Sequence, residues 1–455
     1  MDEFEIAILG AGISGISAAQ RAAESGARVC LIEKDRIGGR CVHQGLFPYM
    51  RMMNQIVING SGASQREAGG RGREEISKLF EDTIQFSQEI SKKREAALKE
   101  SGVHIETGEG TLIGPNEIRI LGPMEEKVVK AQKIIVATGS DMEAPATMPF
   151  DGERIISCDE VFKVGKAPDS VLILGGGGAG CELASLYNRL GSKTFLSDEA
   201  SRLLQDQDTD IIEAAEGGMK KQKVKMLLNK KVVSIFKDES AIDISLDGGV
   251  KFAVQTMVLM SGRKARTQNL GADAIGVRIG EKRQILVDEK QETTVNGVYA
   301  VGSVTGRASF HGLSEEEGRV AVENALGKKA SLNKDWIPRI VYTHPEIATV
   351  GCHAQDAHHK GFRAVEGICT NNQLEPSLIR AGDAGLFKIV ADKTSRKIIG
   401  GQIVSSRASE FIPLILLSIK RGLPVSSLAR LSCGISTPLQ GIREAARACV
   451  QALRI

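Results

Sequence analysis

Two segments of the chain share a G-x-G-x-x-G pattern, with an acidic residue the same number of positions after the first glycine. Glycines at this spacing permit a tight turn, the close approach of a pyrophosphate and close helix–strand packing, and the acid can accept from ribose hydroxyls. Two motifs in matching register predict two dinucleotide sites. Their residues are Gly10, Gly12, Gly15 and Glu33 in the first segment, and Gly175, Gly177, Gly180 and Asp198 in the second.

The acid of the second motif also predicts which nicotinamide dinucleotide binds there. Asp198 is followed directly by Glu199. Two adjacent carboxylates repel the 2′-phosphate that distinguishes NADP(H) from NAD(H). The pair therefore favours NAD(H).

Each motif lies where a strand enters a helix. The apolar runs "FEIAILGAG" and "SVLILGGGGAG" precede the glycines, and the later runs "ARVCLIEK" and "SKTFLSDE" contain the acids. Both patterns predict β-α-β units of a parallel sheet. Between them, about 74–100 is predicted to be a helix, and from about 337 the pattern changes to that of an α+β domain. The apolar stripe predicted for this helix is Ile76, Leu79, Phe80, Ile84 and Ile90.

The composition excludes several classes of protein. A chain of 455 residues predicts two to four domains, and a net charge of +3 is too even for a nucleic-acid or acidic-membrane partner. The acidic start "MDEFEIAILGAG" does not resemble a signal peptide and no apolar run is long enough to span a membrane, so a cytoplasmic location is expected. The eight cysteines form no C-x-x-C, and no metal site is predicted.

Four further segments carry a resemblance to a known family. They are "IIVATGS" (134–140), "LMSGRKART" (259–267), "NGVYAVGSVTG" (296–306) and "IPRIVYTHPEIATVG" (337–351). Together with the glycine motifs they resemble the FAD-dependent pyridine nucleotide-disulfide oxidoreductases, which include dihydrolipoamide dehydrogenase, mercuric reductase and the soluble transhydrogenases. The resemblance implies FAD and NAD(H) as cofactors and a homodimer.

The same resemblance implies an α/β fold with two three-layer, Rossmann-like dinucleotide-binding domains and a C-terminal α+β dimerisation domain. The expected bounds are 1–145 with 270–330 for the discontinuous FAD domain, 146–269 for the NAD domain and 335–455 for the dimerisation domain. The resemblance adds cofactor-binding candidates, namely Gly39, Thr138, Gly139, Gly262, Arg263, Gly302 and Ser303. Ser303 replaces an aspartate that binds the ribityl chain in the family, which is expected to weaken FAD binding.

The segment "GGRCVHQGLFPYM" (38–50) departs from the family pattern. Active relatives have a second cysteine at the position of Leu46 and a lysine at the position of Met50. Thiol–disulfide exchange needs both cysteines, so Cys41 is either a retained packing residue or an isolated nucleophile. Near the C-terminus, Ile435 and Gln440 occupy the positions of the family's catalytic histidine and its glutamate partner.

Three residues remain as catalytic candidates: Cys41, His43 and Glu182. The soluble transhydrogenases share the histidine, so His43 is either a polar group beside the flavin or a structural residue. Glu182 lies near the nicotinamide in the family. Gly178 replaces a bulky residue there, which either leaves the nicotinamide pocket open or marks a flexible turn.

These losses lead to three hypotheses. The first is an FAD-dependent NADH oxidoreductase that passes electrons to a non-disulfide acceptor, either a small molecule such as a quinone or a protein partner. The apolar residues around Leu46 would suit a flat acceptor or would simply pack. The second is a soluble NAD(P) transhydrogenase, and the third is a catalytically degenerate flavoprotein subunit of a larger redox complex.

Overall fold

The structure, a computed structural model, describes residues 3–59, 73–307, 310–370, 385–434 and 437–453. In these ranges no helix is both long and apolar enough to cross a membrane. The described chain divides into two units, each with its own core. The first comprises the described residues up to 166 together with 261–332, and the second comprises 167–260 together with the described residues from 333 onward.

The strands and helices are numbered here in chain order. The strands are β1 Glu3–Leu9, β2 Val29–Glu33, β3 His104–Thr107, β4 Glu109–Gly114, β5 Glu117–Leu121, β6 Glu126–Val136, β7 Ser140–Met142, β8 Ile155–Ser157, β9 Ser170–Leu174, β10 Lys193–Asp198, β11 Lys225–Leu228, β12 Val232–Lys237, β13 Ile242–Leu246, β14 Lys251–Val254, β15 Thr256–Leu259, β16 Arg263–Ala265, β17 Val298–Ala300, β18 Arg339–Val341, β19 Glu346–Gly351, β20 Ala364–Thr370, β21 Leu386–Asp392 and β22 Ile398–Ser405. The α-helices are α1 Ile13–Glu24, α2 Gly39–His43, α3 Leu46–Asn59, α4 Arg73–Glu100, α5 Val161–Val164, α6 Gly178–Arg189, α7 Thr209–Lys221, α8 His311–Ala325, α9 Ala408–Lys420, α10 Val425–Ala429 and α11 Leu439–Ala452. Short 3₁₀ turns cover Asp247–Gly249, Gly302–Thr305, Lys334–Trp336 and Ala354–Lys360.

The first unit is built on a sheet with the order β3-β2-β1-β6-β5-β4, and β17 also pairs with β6. Strands β3, β2, β1, β6 and β17 are parallel, whereas β6, β5 and β4 form an antiparallel meander. Strand β1 is central because its residues pair with β2 on one side and β6 on the other. This placement brings the loop after β1 to the carboxyl edge of the sheet, where dinucleotides bind in such folds.

Alternate residues of β1 face two separate apolar layers. Ile6 and Ile8 pack with alanines of α1 and with Val322 of α8. Ala7 and Leu9 pack on the other face, against residues such as Ile118 of β5. The period of two follows from the pleat of a strand. The sheet is therefore the middle of three layers, as predicted.

Helix α4 is present where the sequence predicts it, but its buried face differs from the predicted stripe. Leu79 and Phe80 are buried, whereas Ile84 is 40% exposed. Thr83, Ser87 and Ser91 are buried instead. Their hydroxyls all find acceptors: Thr83 and Ser87 donate to carbonyls one turn earlier, and Ser91 donates to Ile37 O at 2.7 Å. A hydroxyl group that is hydrogen-bonded can be buried at little cost in free energy. The spacing of apolar residues, from which the stripe was predicted, does not show which hydroxyl groups will be buried.

The second unit contains the other dinucleotide-binding fold and the C-terminal region. Strands β11, β10, β9 and β15 are parallel in that order, and β12, β13 and β14 form a separate antiparallel sheet. In the C-terminal region the antiparallel sheet has the order β18-β19-β22-β21-β20, and α9, α10 and α11 pack against it. Strands followed by helices give the α+β arrangement that the sequence predicts.

Candidate functional site

The first glycine loop has the backbone geometry that a dinucleotide requires. Gly10 has a φ of +104°, and a Cβ there would lie 2.5 Å from Ala137 O. A Cβ on Gly15 would lie 1.9 Å from Gly10 O, so α1 packs directly on the turn. Around Gly12, by contrast, a Cβ would meet nothing within 4 Å among the described residues. The loop is thus closed on its inner side and open where a pyrophosphate would approach the start of α1.

Glu33 fixes this loop from the end of β2. One carboxylate oxygen accepts a hydrogen bond from Ala11 N at 2.6 Å, and the other accepts from Asp35 N at 2.9 Å. Each carboxylate oxygen has further acceptor capacity. The acid can therefore hold the glycine turn and accept from a ribose hydroxyl at the same time.

The second glycine loop repeats this geometry in the other unit. A Cβ on Gly180 would lie 1.8 Å from Gly175 O, and one on Gly177 would meet nothing within 4 Å in the described chain. Asp198 accepts from Gly176 N at 2.5 Å and from Ala200 N at 2.8 Å. The two motifs therefore agree in their hydrogen bonds as well as in their spacing.

Other predicted FAD-site residues surround the first loop. A Cβ on Gly39 would lie 2.9 Å from Gly12 Cα, so the start of α2 lies against the loop. Gly302 is in contact with Ser14 of α1, since a Cβ there would lie 2.4 Å from Ser14 Oγ. Ser303 Oγ lies 3.7 Å from the point where a Cβ on Gly139 would stand. Thr138 Oγ1 donates to the backbone carbonyl of Arg266 at 2.8 Å and links the same edge to β16.

Gly262 and Arg263 contribute mainly to a polar cluster of the first unit. Gly262 O accepts from Glu143 N at 3.0 Å. Arg263 forms a bidentate pair with Asp159, at 2.9 and 3.1 Å, and Arg40 Nε contacts the same carboxylate at 2.5 Å. Burial by itself raises the pKa of Asp159, but these two guanidinium groups hold it below its ordinary value. The glycine motifs in the sequence do not predict this Arg–Asp–Arg cluster.

Glu182 and Gly178 lie on α6, directly after the second glycine loop. Glu182 Oε1 accepts from Tyr342 N at 2.9 Å. A Cβ on Gly178 would lie 3.2 Å from Val341 Cγ2. Gly178 is the first residue of α6, and Val341 occupies the space beside it. Both alternatives for Gly178, an open nicotinamide pocket and a flexible turn, stay predictions.

Cys41 lies on α2, one residue after Arg40, and its side chain is half-buried. Burial is the main cause that raises the pKa of its thiol to about 11. The charges of Arg40 and Arg94 act in the opposite direction but do not offset it. At neutral pH Cys41 is therefore a thiol, whereas attack on a disulfide requires a thiolate.

His43 is held by the backbone of its own unit. Its Nε2 is 3.0 Å from Ile37 O, the carbonyl that also accepts from Ser91 of α4. Burial lowers the pKa of His43, so the ring is neutral at pH 7 and donates to this carbonyl. Of the two alternatives for His43, a polar group beside the flavin or a structural residue, these contacts favour the structural residue.

Near the C-terminus, Gln440 is the second residue of α11, and its Nε2 donates to Gly434 O at 3.2 Å. Gln440 is largely buried. Ile435, the residue aligned with the family histidine, lies outside the described residues. All eight cysteines are within the described residues, and each is a free thiol. These residues also contain no group of three or more side chains arranged to hold a metal ion.

Comparison with known proteins identifies the class. Residues 4–325 match the family model described as pyridine nucleotide-disulphide oxidoreductase, and residues 337–446 match the dimerisation domain of the same family. The chain therefore belongs to the pyridine nucleotide-disulphide oxidoreductases. Members of this family use FAD and NAD(H), and the dimerisation domain supports a homodimer.

Individual relatives extend over nearly the whole chain. A mercuric reductase of Staphylococcus aureus is 26% identical over 452 residues, covering 98% of this chain and 82% of the relative. The mitochondrial dihydrolipoyl dehydrogenase 1 of Arabidopsis thaliana is 28% identical over 466 residues, covering 98% and 90%. Among solved structures, LpdA of Mycobacterium tuberculosis superposes with a TM-score of 0.90 at 24% identity, covering 98% of this chain and 99% of LpdA. These likenesses confirm the predicted fold.

The residues present fit an FAD at the first loop. Open space at Gly12, the start of α1 that follows it and the carboxylate of Glu33 match a pyrophosphate and a ribose. The hydroxyl of Ser303 is an acceptor and a donor, although it lacks the charge of an aspartate. The second loop offers the same features to NAD(H).

Proposed function

We propose that this protein is an FAD-dependent NADH oxidoreductase that passes electrons to a non-disulfide acceptor, such as a quinone, a second nicotinamide or a protein partner. The observation that carries this proposal is Leu46, which stands where a second cysteine would be needed. Burial also raises the pKa of the Cys41 thiol to about 11, which disfavours the reactive thiolate at neutral pH. Without a thiolate and a partner sulfur there is no intrachain disulfide to reduce.

The nicotinamide half of the reaction has support at the second loop. FAD, when bound, supplies the redox chemistry by accepting a hydride equivalent from NADH and returning electrons to the acceptor. Gly177 and the start of α6 would hold the pyrophosphate of NADH, and Asp198 its ribose. Glu182 is fixed on the same helix by Tyr342 N.

The choice of nicotinamide weighs against transhydrogenation. Both oxygens of Asp198 accept backbone hydrogen bonds, which hold the carboxylate in place. A fixed carboxylate beside Glu199 repels a 2′-phosphate. We therefore rank NADH with a quinone-like acceptor above exchange between NAD(H) and NADP(H).

The experiment is a comparison of acceptors with the purified, FAD-loaded protein under anaerobic conditions. We expect NADH to bleach the flavin absorbance, and menadione or ferricyanide to restore it with turnover. Lipoamide and glutathione disulfide should give no turnover. Reduction of thio-NADP at a rate equal to that of menadione would support transhydrogenation instead, and a protein that cannot be reconstituted with FAD would support the degenerate subunit.

A single substitution tests whether the missing cysteine is the reason why the protein is expected not to reduce disulfides. Leu46→Cys restores the second cysteine beside Cys41 without altering either glycine loop. We expect this variant to form a disulfide that NADH reduces, while the wild type forms none. Failure of the variant to form any disulfide would mean that the backbone of α2 and α3, and not the missing sulfur, determines the chemistry.

A further inference from the structure

His311, which is absent from the sequence-based candidates, contacts Phe47, the residue that follows the position of the missing cysteine. It is the first residue of α8, and its ring stacks on Phe47 with centroids 5.9 Å apart and an interplanar angle of 17°. Phe47 directly follows Leu46 at the start of α3. Leu46, Phe47 and His311 are all only partly buried. The face formed by these residues is called the α3 face below.

His311 is paired with a carboxylate on its own helix. Nδ1 is 3.4 Å from Glu315 Oε1, one turn along α8. The hydrogen bond from His311 is the largest of the effects that hold the pKa of Glu315 below its ordinary value. A carboxylate on Nδ1 fixes the ring and leaves Nε2 for a reacting group. Within the described residues no hydrogen bond to Nε2 occurs.

The start of α8 is fixed relative to the first dinucleotide loop. Gly302 N donates to Glu317 Oε2 on α8 at 2.7 Å. A Cβ on Gly318 would lie 2.6 Å from Ser14 O, so α8 packs tightly on α1. His311 is therefore carried on a helix that is hydrogen-bonded to Gly302 and packed closely on α1, which follows the first glycine loop. Such rigid support is what a positioned proton donor needs.

We propose that His311, oriented by Glu315, donates the proton that accompanies reduction of a flat, oxygen-bearing acceptor of the quinone class at the α3 face. This inference rests on the proposed function, because it requires an acceptor of the quinone class. The side chains of Leu46 and Phe47 supply the apolar contact that such an acceptor requires. His311 and Glu315 supply in one helix the kind of acid–base pair that is missing at 435 and 440.

The chemistry balances with reactants of the proposed function. NADH, one proton and a quinone give NAD⁺ and a hydroquinone, in which NADH provides the electron pair with one hydrogen. For the second hydrogen, the Nε2–H bond of His311 breaks with its electrons left on nitrogen, and an O–H bond forms on the acceptor oxygen. The neutral ring regains a proton from water, since its side chain is 28% exposed.

The first test compares an acceptor that needs a proton with one that does not. With NADH and the FAD-loaded protein, His311→Gln should slow menadione reduction on the order of 100-fold, the typical contribution of a general acid. Ferricyanide takes up electrons without protons, so its reduction should change by less than about twofold. His104→Gln is the matched control, because His104 forms an exposed pair with Glu106 at 2.8 Å. It should leave both rates unchanged.

The carboxylate partner of His311 provides a second readout. Glu315 lies 3.4 Å from His311 Nδ1 and is argued to orient the ring without touching the acceptor. Glu315→Gln should therefore slow menadione reduction, by less than His311→Gln does, because the proton donor remains but is less well oriented. Ferricyanide reduction should change by less than about twofold in this variant as well.

A third readout does not depend on turnover. In protein labelled with ¹³C at its histidines, menadione added without NADH should shift the ring signal of His311 and leave that of His104 in place. The two ring signals are assigned from the spectra of His311→Gln and His104→Gln, because each variant lacks one of them.

The outcomes separate this inference from the proposed function. A wild type that reduces neither menadione nor ferricyanide with NADH contradicts the proposed function itself. If the wild type reduces both, an unchanged menadione rate in His311→Gln, an equal loss with both acceptors, or an unmoved His311 signal overturns the role of His311 alone.

Discussion

At the scale of single residues, the two acids after the glycine motifs have a role that spacing alone does not reveal. Sequence predicts that Glu33 and Asp198 accept from ribose hydroxyls. In the structure each carboxylate already accepts from a backbone N–H of its own loop, Ala11 N or Gly176 N. The acids therefore hold the shape of their loops, which reduces the cost of ordering a loop when a cofactor binds.

The open positions of the two loops provide a paired prediction. A Cβ at Gly12 or Gly177 meets no atom of the described residues within 4 Å, so Gly12→Ala and Gly177→Ala should fold normally. Each added methyl group would instead press on its own cofactor, at a cost of about 1–3 kcal/mol in binding free energy. FAD retention, read from visible absorbance, should fall only in Gly12→Ala. NADH affinity, read by titration, should fall only in Gly177→Ala; loss of both cofactors in either variant would contradict the independence of the loops.

The thiol of Cys41 gives a pH prediction at the same scale. Burial raises its pKa to about 11, so the reactive thiolate is scarce at neutral pH and increases as pH rises toward that value. Alkylation of Cys41 by iodoacetamide, followed by mass spectrometry, should accelerate throughout pH 7–10 without levelling off. A rate that is already maximal near pH 7 would indicate an activated nucleophile.

At the scale of elements, the second unit is held together by a buried cluster around Lys388 of β21. Its ammonium contacts Asp208 and Asp210, at the start of α7, and Glu366 of β20, each at 2.9 Å. Asp208 also contacts His353 Nδ1 at 2.9 Å. Lys388 is only 4% exposed. The cluster links the nucleotide-binding fold of this unit to its C-terminal sheet.

Removing the lysine should leave three carboxylates without their common partner. Lys388→Met is expected to lower the free energy of unfolding by about 3–5 kcal/mol at pH 7. Lys360→Met, which breaks an exposed pair with Asp335, should cost less than about 1 kcal/mol. Urea unfolding monitored by circular dichroism would measure both. Equal effects would show that the buried cluster does not stabilise the unit.

The pH dependence of this cluster has a defined sign. Burial by itself raises the pKa of Asp208, but His353 and Lys388 hold it below its ordinary value. A depressed carboxyl pKa stabilises the fold above the ordinary value near 4, and the contribution is lost as pH falls through the folded-state pKa. Without Lys388 the carboxylates take up protons more readily, so the variant should lose less stability than the wild type on going from pH 7 to pH 4.

The elements also show what a single sequence predicts and what it does not. The β-α-β units and the helix near 74–100 follow from apolar periodicity and the glycine turns. The buried hydroxyls of α4, the Lys388 cluster and the Arg40–Asp159–Arg263 cluster join residues far apart in the chain, and no local pattern encodes them. The pair of His311 and Glu315 could have been predicted from the sequence, because residues four positions apart lie on the same face of a helix.

At the scale of the whole molecule, the chain keeps the family's two dinucleotide-binding folds and its dimerisation domain, but it departs from the family pattern at the residues that the resemblance assigns to thiol chemistry. Both glycine loops keep the geometry that binds phosphates, whereas the disulfide position, the adjacent lysine position and the C-terminal acid–base positions have all changed. The predicted domain bounds of 145/146 and 269/270 remain predictions. The compact units themselves divide at 166/167 and 260/261.

The absence of a redox disulfide is the central claim, and counting thiols tests it most directly. The protein is unfolded under anaerobic conditions, before or after exposure to NADH in the FAD-loaded state, and its cysteines are labelled with a maleimide and counted by mass spectrometry. The structure predicts eight labelled cysteines in both samples, because all eight are free thiols. Two fewer labelled cysteines before NADH than after it would reveal a disulfide that NADH reduces, and would contradict the account.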